Sequence, residues 1–305
     1  MYKNILIPHA GTPAGDLALE HAVFAAKGTP SAKMIILHII EEVQRPPTFG
    51  LAESEREKIF HNITEANESL KIEMQKEMEK RLTYCKENNV TAEIKIQVGD
   101  AAQVILDCIK HQEIDLVVMA KRRKIKGIKK LFSLGSISRK VVDNVNCPIM
   151  LVDLEKEWEN MIKTFEHILV PYDGTKNSEN AFKKAISLAS LIQGKITIIT
   201  CLEERNTFGF FKTKTSKQEF EKERKIVEKQ HLKLEKSAKD HKISCSSKIT
   251  RNGLASTKIL EFANQHDVDL IIIKRTKISS RYEKQYHHST VENIFKNSSC
   301  PILIL

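Results

Sequence analysis

The sequence predicts an α/β protein made of two tandem copies of one unit, each a doubly wound, five-stranded parallel sheet flanked by helices. Three observations predict it. Five segments of the first half recur in the second half in the same order. Short, β-branched, nearly continuous apolar runs fit strands buried on both faces. Between those runs lie segments whose apolar residues recur at three and four positions, the period of a helix face.

The duplication is read directly. KNILIPHAGT (3–12) recurs as EHILVPYDGT (166–175), KMIILHIIEE (33–42) as KITIITCLEE (195–204), and Thr48-Phe49-Gly50 as Thr207-Phe208-Gly209. VILDCIKHQEIDLVVMAKR (104–122) matches KILEFANQHDVDLIIIKRT (258–276), and NVNCPIMLV (144–152) matches NSSCPILIL (297–305). Five matches in one order mean duplication. The copies are placed at 1–152 and 165–305. The charged stretch 153–164 between them reads as a short linker, with Trp158 packed on one of the copies.

In the first copy the expected strands are Ile5–Ile7, Met34–Ile40, Ile94–Val98, Leu116–Met119 and Ile149–Val152. Leu17, Ala18, His21, Ala22 and Ala25 share one helix face, and so do Val104, Ile105 and Cys108, in a helix begun by Asp100 or Ala101. From Glu53 to Glu87 a stripe of Ile59, Ile63, Ala66, Leu70, Met74, Met78 and Leu82 predicts one long helix packed on the sheet. Phe220, Val227 and Leu234 do the same in the second copy. Right-handed crossovers then place any ligand beyond the carboxyl ends of the strands, near the switch point, in the loops after strands one, two and four.

Composition sets bounds. At 305 residues, 41% hydrophobic and 29% charged, the chain has the make-up of a globular protein of about two domains. No apolar run approaches the ~20 residues that span a bilayer. The opening MYKNILIPHAG enters a strand-like run with no h-region or cleavage site. The six cysteines are scattered without a C-x-x-C pair, which favours free thiols in a reducing compartment, so the expected address is the cytoplasm. A net charge of +10 suits a polyanionic partner or a lysine-rich solvated surface.

Two loops carry candidate chemistry. After strand one the copies read Pro8-His9-Ala10-Gly11-Thr12 and Pro171-Tyr172-Asp173-Gly174-Thr175. Asp173 can cap the next helix or accept hydrogen bonds from a nucleoside, and Thr12 or Thr175 can cap in either copy. After strand four, seven of the ten residues from 121 to 130 are basic, Lys121, Arg122 and Arg123 among them, ahead of a helix beginning near Gly135-Ser136. Such a loop either holds phosphate, with the Gly135 and Ser136 amides as donors, or is a solvated basic loop with an ordinary serine cap. In copy two, His288 stands in place of the glycine. The pair His287-His288 lacks a carboxylate or thiol partner for a metal.

With these residues in view, the whole chain resembles a tandem universal stress protein: ILIP and ILVP on strand one, LHI at 37–39, DLVVMA and DLIII on strand four, CPIMLV and CPILIL on strand five. The resemblance implies a Rossmann-like, nucleotide alpha-hydrolase-like fold and a stress-response role. In that family some members bind ATP through Gly-x2-Gly-x9-Gly-Ser/Thr after strand four, with an Asp after strand one. Here Ala120 and Arg123 stand where the first two glycines belong, and eleven residues rather than nine separate Arg123 from Gly135. Gly135 and Ser136 match the phosphate-contacting pair, Ile39 the adenine border, and Ala10 replaces the Asp. In copy two Asp173 matches, Cys201 takes the adenine border, Lys274 and Lys277 take the glycine places, and only Ser289 survives of the final pair.

Copy one thus keeps the phosphate end and copy two the nucleoside end. The expected function is a regulatory stress-response protein, with an adenine nucleotide (ATP, ADP or AMP, with or without magnesium) in copy one rather than copy two. The alternatives are a nucleotide-free scaffold paired as a pseudo-dimer through Ile149–Val152 and Ile302–Leu305, and nucleic-acid binding through 121–130, which lacks interleaved aromatics. An enzyme is not expected: there is no nucleophile elbow, no H-E-x-x-H and no complete P-loop.

Overall fold

The computed structural model describes residues 2–41, 52–121, 136–152, 165–202, 214–251, 253–274 and 290–305, with the side chains of 136 and 214–217 left aside. The chain divides into two compact units, within residues 1–154 and 155–305.

Unit 1 runs β1 (Asn4–Pro8), α1 (Pro13–Lys27), β2 (Lys33–Ile40), α2 (Glu53–Glu87), β3 (Thr91–Val98), α3 (Ala101–His111), β4 (Leu116–Ala120), α4 (Ser136–Asn144) and β5 (Ile149–Val152). Its strands lie in the order β3-β2-β1-β4-β5, all parallel. Unit 2 repeats this with β6 (His167–Pro171), α5 (Lys176–Ile192), β7 (Lys195–Leu202), α6 (Lys214–Asp240), β8 (Cys245–Arg251), α7 (Ala255–Gln265), β9 (Leu270–Ile273), helical residues 290–297 and β10 (Ile302–Ile304). Its order is β8-β7-β6-β9-β10, again parallel. In both units the order reverses beside the first strand, which makes the switch point of a doubly wound sheet.

The apolar runs form these strands because both faces are covered: Ile5, Leu6, Ile7, Leu116, Val117 and Val118 are fully buried. Aspartates brace the central strands at their amino ends. Asp115 accepts from the Lys3 and Asn4 amides, and Asp269 accepts from the Glu166 and His167 amides. Asp100 caps α3 by accepting from the Gln103 amide at 2.9 Å, so Ala101 is the first helical residue.

The long helix differs from its expectation. α2 does span Glu53–Glu87, but among its residues only Met78, Arg81 and Cys85 are buried. Leu70 is 37% exposed, Ala66 is exposed too, and Ile59, Ile63 and Met74 are only half-buried, so the upper part of the predicted stripe is not buried on the sheet. The reason is length. A 35-residue helix extends about 50 Å, whereas the eight residues of β3 cover about 26 Å, so its first half outruns the sheet at the carboxyl edge. α6 follows the same rule more mildly: Val227, His231 and Ala238 are buried, while Phe220 and Leu234 are half-buried.

One close approach closes unit 2. After α5 the chain turns through Gln193 in the left-handed region, and a Cβ on Gly194 would stand 2.8 Å from the Phe165 carbonyl oxygen and 3.1 Å from that of Glu166. Both are backbone atoms and have little room to give. Gly194→Ala is therefore expected to destabilise unit 2 by about 2 kcal/mol through overpacking, read as a lowered melting temperature.

Candidate functional site

At the carboxyl edge of unit 1, three separate stretches of sequence meet around the switch point. Gly11 and Thr12 follow β1, Ile39 lies near the end of β2, and Lys121 follows β4. Register places them together, since Pro8 pairs with Leu37 and β1 lies between β2 and β4. Thr12 is the N-cap of α1, its hydroxyl accepting from the Gly15 amide at 3.4 Å. Gly11 takes φ +70, a left-handed conformation that side chains rarely adopt, and it turns the chain from strand to helix. Ile39 is half-buried, and Lys121 is buried, its amide donating to the Val152 carbonyl at 2.7 Å. The described part of α4 starts at Ser136. Arg122, Arg123, Gly135, the Ser136 side chain and the rest of the basic stretch lie outside the described residues.

The turn itself is organised by His9, which is 3% exposed. The Gly11 amide donates to His9 Nδ1 at 3.0 Å, so the proton of the neutral ring sits on Nε2 and is donated to Asp16 at 3.1 Å. Asp16 in turn accepts from Arg81 Nε at 2.9 Å and Nη2 at 3.3 Å, while Arg81 Nη1 donates to the Glu77 carbonyl and carboxylate. From β2, His38 donates from Nδ1 to the His9 carbonyl at 2.8 Å. Burial lowers the His9 pKa. The Asp16 carboxylate opposes that shift and the Arg81 guanidinium assists it. His9, Asp16 and Arg81 thus tie the strand-one turn to α1 and α2. The sequence signal for this network is slight: an arginine set inside the apolar stripe between Met78 and Cys85.

Unit 2 builds the same turn from different chemistry. The Tyr172 carbonyl, the counterpart of that of His9, accepts from Thr200 at 2.8 Å. Asp173 is exposed, and its Oδ1 accepts from the Thr175 amide at 3.0 Å and from the Thr175 hydroxyl at 2.6 Å. Although the residue as a whole is exposed, desolvation of its carboxyl by the turn works to raise the Asp173 pKa, but the hydrogen bonds from Thr175 and Ser178 outweigh it and hold the pKa below the usual range. Thr175 caps α5, accepting from the Ser178 amide, and Gly174 takes φ +78. Among the described residues the Gly174 amide has no acceptor, in contrast to that of Gly11. Cys201 is half-buried beside Thr250, whose hydroxyl reaches its sulfur at 3.2 Å, and Lys274 is half-buried after β9. Lys277, Ser289 and the pair His287-His288 lie outside the described residues, as do linker 153–164 with Trp158 and both Thr-Phe-Gly repeats.

None of the six cysteines is in a disulfide among the described residues. Burial pushes the thiols of Cys85 and Cys147 up to about 11 and that of Cys245 to about 12, so none of these three is a ready nucleophile. Among the described residues no group of three His, Cys, Asp or Glu side chains is placed to hold a metal ion, and no helix is long and apolar enough to cross a membrane.

Comparison with known proteins follows the duplication. The model of the universal stress protein family matches residues 1–153 and again 164–305. A universal stress protein of Methanocaldococcus jannaschii is 28% identical over 158 residues, which is 52% of this chain and 85% of that protein. One from Synechocystis is 32% identical over 161 residues, 50% of this chain and 97% of that protein. Among solved structures, a universal stress protein from Archaeoglobus fulgidus superposes with a TM-score of 0.64 at 17% identity, covering 99% of this chain and 95% of that one. At that identity the likeness is one of fold, and it is Rossmann-like, of the nucleotide alpha-hydrolase-like kind.

Proposed function

The chain belongs to the universal stress protein family, and from that premise we propose a stress-response regulator that works by binding rather than catalysis, with an adenine nucleotide held in unit 1. One observation carries the reading. Gly11 and Thr12, Ile39, and Lys121 come from three strand ends distant in sequence and gather at the switch point of one parallel sheet, where such sheets hold ligands. Lys121, Arg122 and Arg123 supply charge to the phosphates, Gly135 and Ser136 supply amides, and Ile39 borders the base. Magnesium accompanies the phosphates or not, since no residue of this set is a committed metal ligand. Unit 2, with Asp173, Gly174, Thr175, Cys201, Lys274, Lys277 and Ser289, is the weaker site because lysines and a histidine replace its glycines. The working units are 1–152 and 165–305, joined by 153–164, and the proposed place of action is the cytoplasm.

A second reading has an observation of its own. The Gly11 amide is already committed to His9 Nδ1 at 3.0 Å, which favours a nucleotide-free scaffold whose two copies pair as a pseudo-dimer and present surfaces to other proteins.

Nucleotide-dependent melting separates the two. A ligand that binds only the folded state adds about 2.7 kcal/mol of apparent stability at a hundredfold excess over its Kd. ATP is expected to raise the melting temperature of the wild type and of Ser289→Ala, and to leave Gly135→Asp unmoved. Equal shifts in all three would remove the site from unit 1, and no shift in any would favour the scaffold.

A further inference from the structure

Unit 2 holds a cleft of about 660 Å³ between α6 and the edge strand β8, inside the range of ~300–1,000 Å³ typical of small-molecule sites. It belongs to unit 2, whereas the nucleotide is proposed for unit 1; within unit 2 it reaches from β8 toward the β6 turn, the His231 ring standing 6.0 Å from that of Tyr172. Phe220, Leu232 and Ile249 give it apolar walls, and Leu232 is left 64% exposed.

The polar groups of the cleft are unevenly committed. Arg224 is paired with Glu228 at 2.9 Å, so these two charges answer each other. Arg251, the last residue of β8, makes no ion pair among the described residues and is exposed at the rim. His231 lines the cleft and is only 2% exposed. Its tautomer follows from its neighbour. The Thr200 hydroxyl donates its single proton to the Tyr172 carbonyl, so at the 2.8 Å contact between Thr200 Oγ1 and His231 Nε2 the histidine is the donor. Nδ1 is then an unprotonated acceptor, and no partner meets it among the described residues. Burial lowers the His231 pKa against the pull of Glu235 and Glu228, which keeps the ring in this neutral form.

The device is particular to unit 2. Cys85 and Ala238 hold equivalent places, since their carbonyls accept from Val90 and Ile243 as the chain leaves α2 and α6. Seven residues before each stand Met78 and His231, so unit 1 carries a thioether where unit 2 carries the acceptor.

We propose that this cleft binds a small amphipathic carboxylate: the anion pairs with Arg251, a hydroxyl or amine proton is given to His231 Nδ1, and an apolar body lies against Phe220 and Leu232. The net charge of the lining, two arginines against one glutamate, favours a single negative charge.

The test uses the whole chain, labelled with nitrogen-15, and 4-hydroxyphenylacetate as probe. Its binding is expected to move the amides of Ser247, Ile249 and Arg251 and the His231 Nδ1 resonance. Phenylacetate, which lacks the hydroxyl, should move the amides but leave Nδ1 in place. The neutral 4-hydroxyphenylacetamide should bind about tenfold more weakly, and Arg251→Gln, a change at an exposed rim position, should weaken the carboxylate by a similar factor without altering the amide. Saturating ATP should leave the probe bound, which keeps this outcome independent of nucleotide binding in unit 1. Unmoved β8 amides at millimolar probe, equal loss of both probes in Arg251→Gln, or displacement by ATP would each overturn the proposal.

Discussion

Lowering the pH from 7 to 4 is expected to cost unit 1 about 3 kcal/mol at His21 alone. His21 lies on the buried face of α1, is 4% exposed, and has its pKa pushed down from 6.5 to about 4 by desolvation. Between those two values the unfolded chain binds a proton that the folded chain excludes. Stability is therefore full above pH 6.5 and falls steadily as the pH drops toward 4. His9, His167 and His231 are shifted in the same direction, each first by burial, and steepen the loss in both units. Urea unfolding followed by circular dichroism at a series of pH values reads the effect. His21→Leu, which fills the site without a titrating group, should flatten the slope in unit 1. An unchanged slope in that variant would show that His21 does not carry the effect.

Met78→Ala is expected to destabilise unit 1 by about 3 kcal/mol, within the usual range for a buried methionine reduced to alanine. Met78 is fully buried on α2, and its terminal methyl would lie 3.8 Å from a Cβ placed on Gly11. It forms the floor beneath the turn that His9 and Thr12 organise. The loss should thus be local as well as global: hydrogen exchange at the Gly11 and Gly15 amides should speed up more than exchange in β4. Uniform acceleration across the unit would mean that Met78 supports the core without supporting the turn.

Much of the fold is legible in the sequence because a duplicated chain states each strand twice. ILIP and ILVP, or LVVMA and LIII, are read as buried strands on their own, and their shared order gives the sheet its sequence of elements. The Asp100 cap is legible for a local reason, as a short side chain just ahead of an apolar helical face. The stripe along α2 misleads because periodicity reports which face of a helix is apolar, not how far the sheet beneath it extends. Hence Ala66 and Leu70 look like core residues and are exposed.

The candidate site is legible in its loops and not in its network. Gly11, Thr12, Asp173 and Thr175 declare themselves as turn and cap residues within five positions of a strand. His9, Asp16 and Arg81 meet only because α2 returns across the sheet, 65 residues along the chain from Asp16. No local spacing encodes that encounter. The His231 acceptor is hidden for a similar reason, since its tautomer is set by Thr200 on β7 and, through Thr200, by the backbone of Tyr172.

The nucleotide proposed for unit 1 is sought by calorimetric titration of the purified chain with ATP, ADP and AMP, preceded by mass analysis of any ligand released on denaturation. One nucleotide per chain is expected, with binding lost in Gly135→Asp and kept in Ser289→Ala. An empty protein that gives no heat with any of the three would contradict it, and would leave the duplicated fold as a scaffold for protein partners.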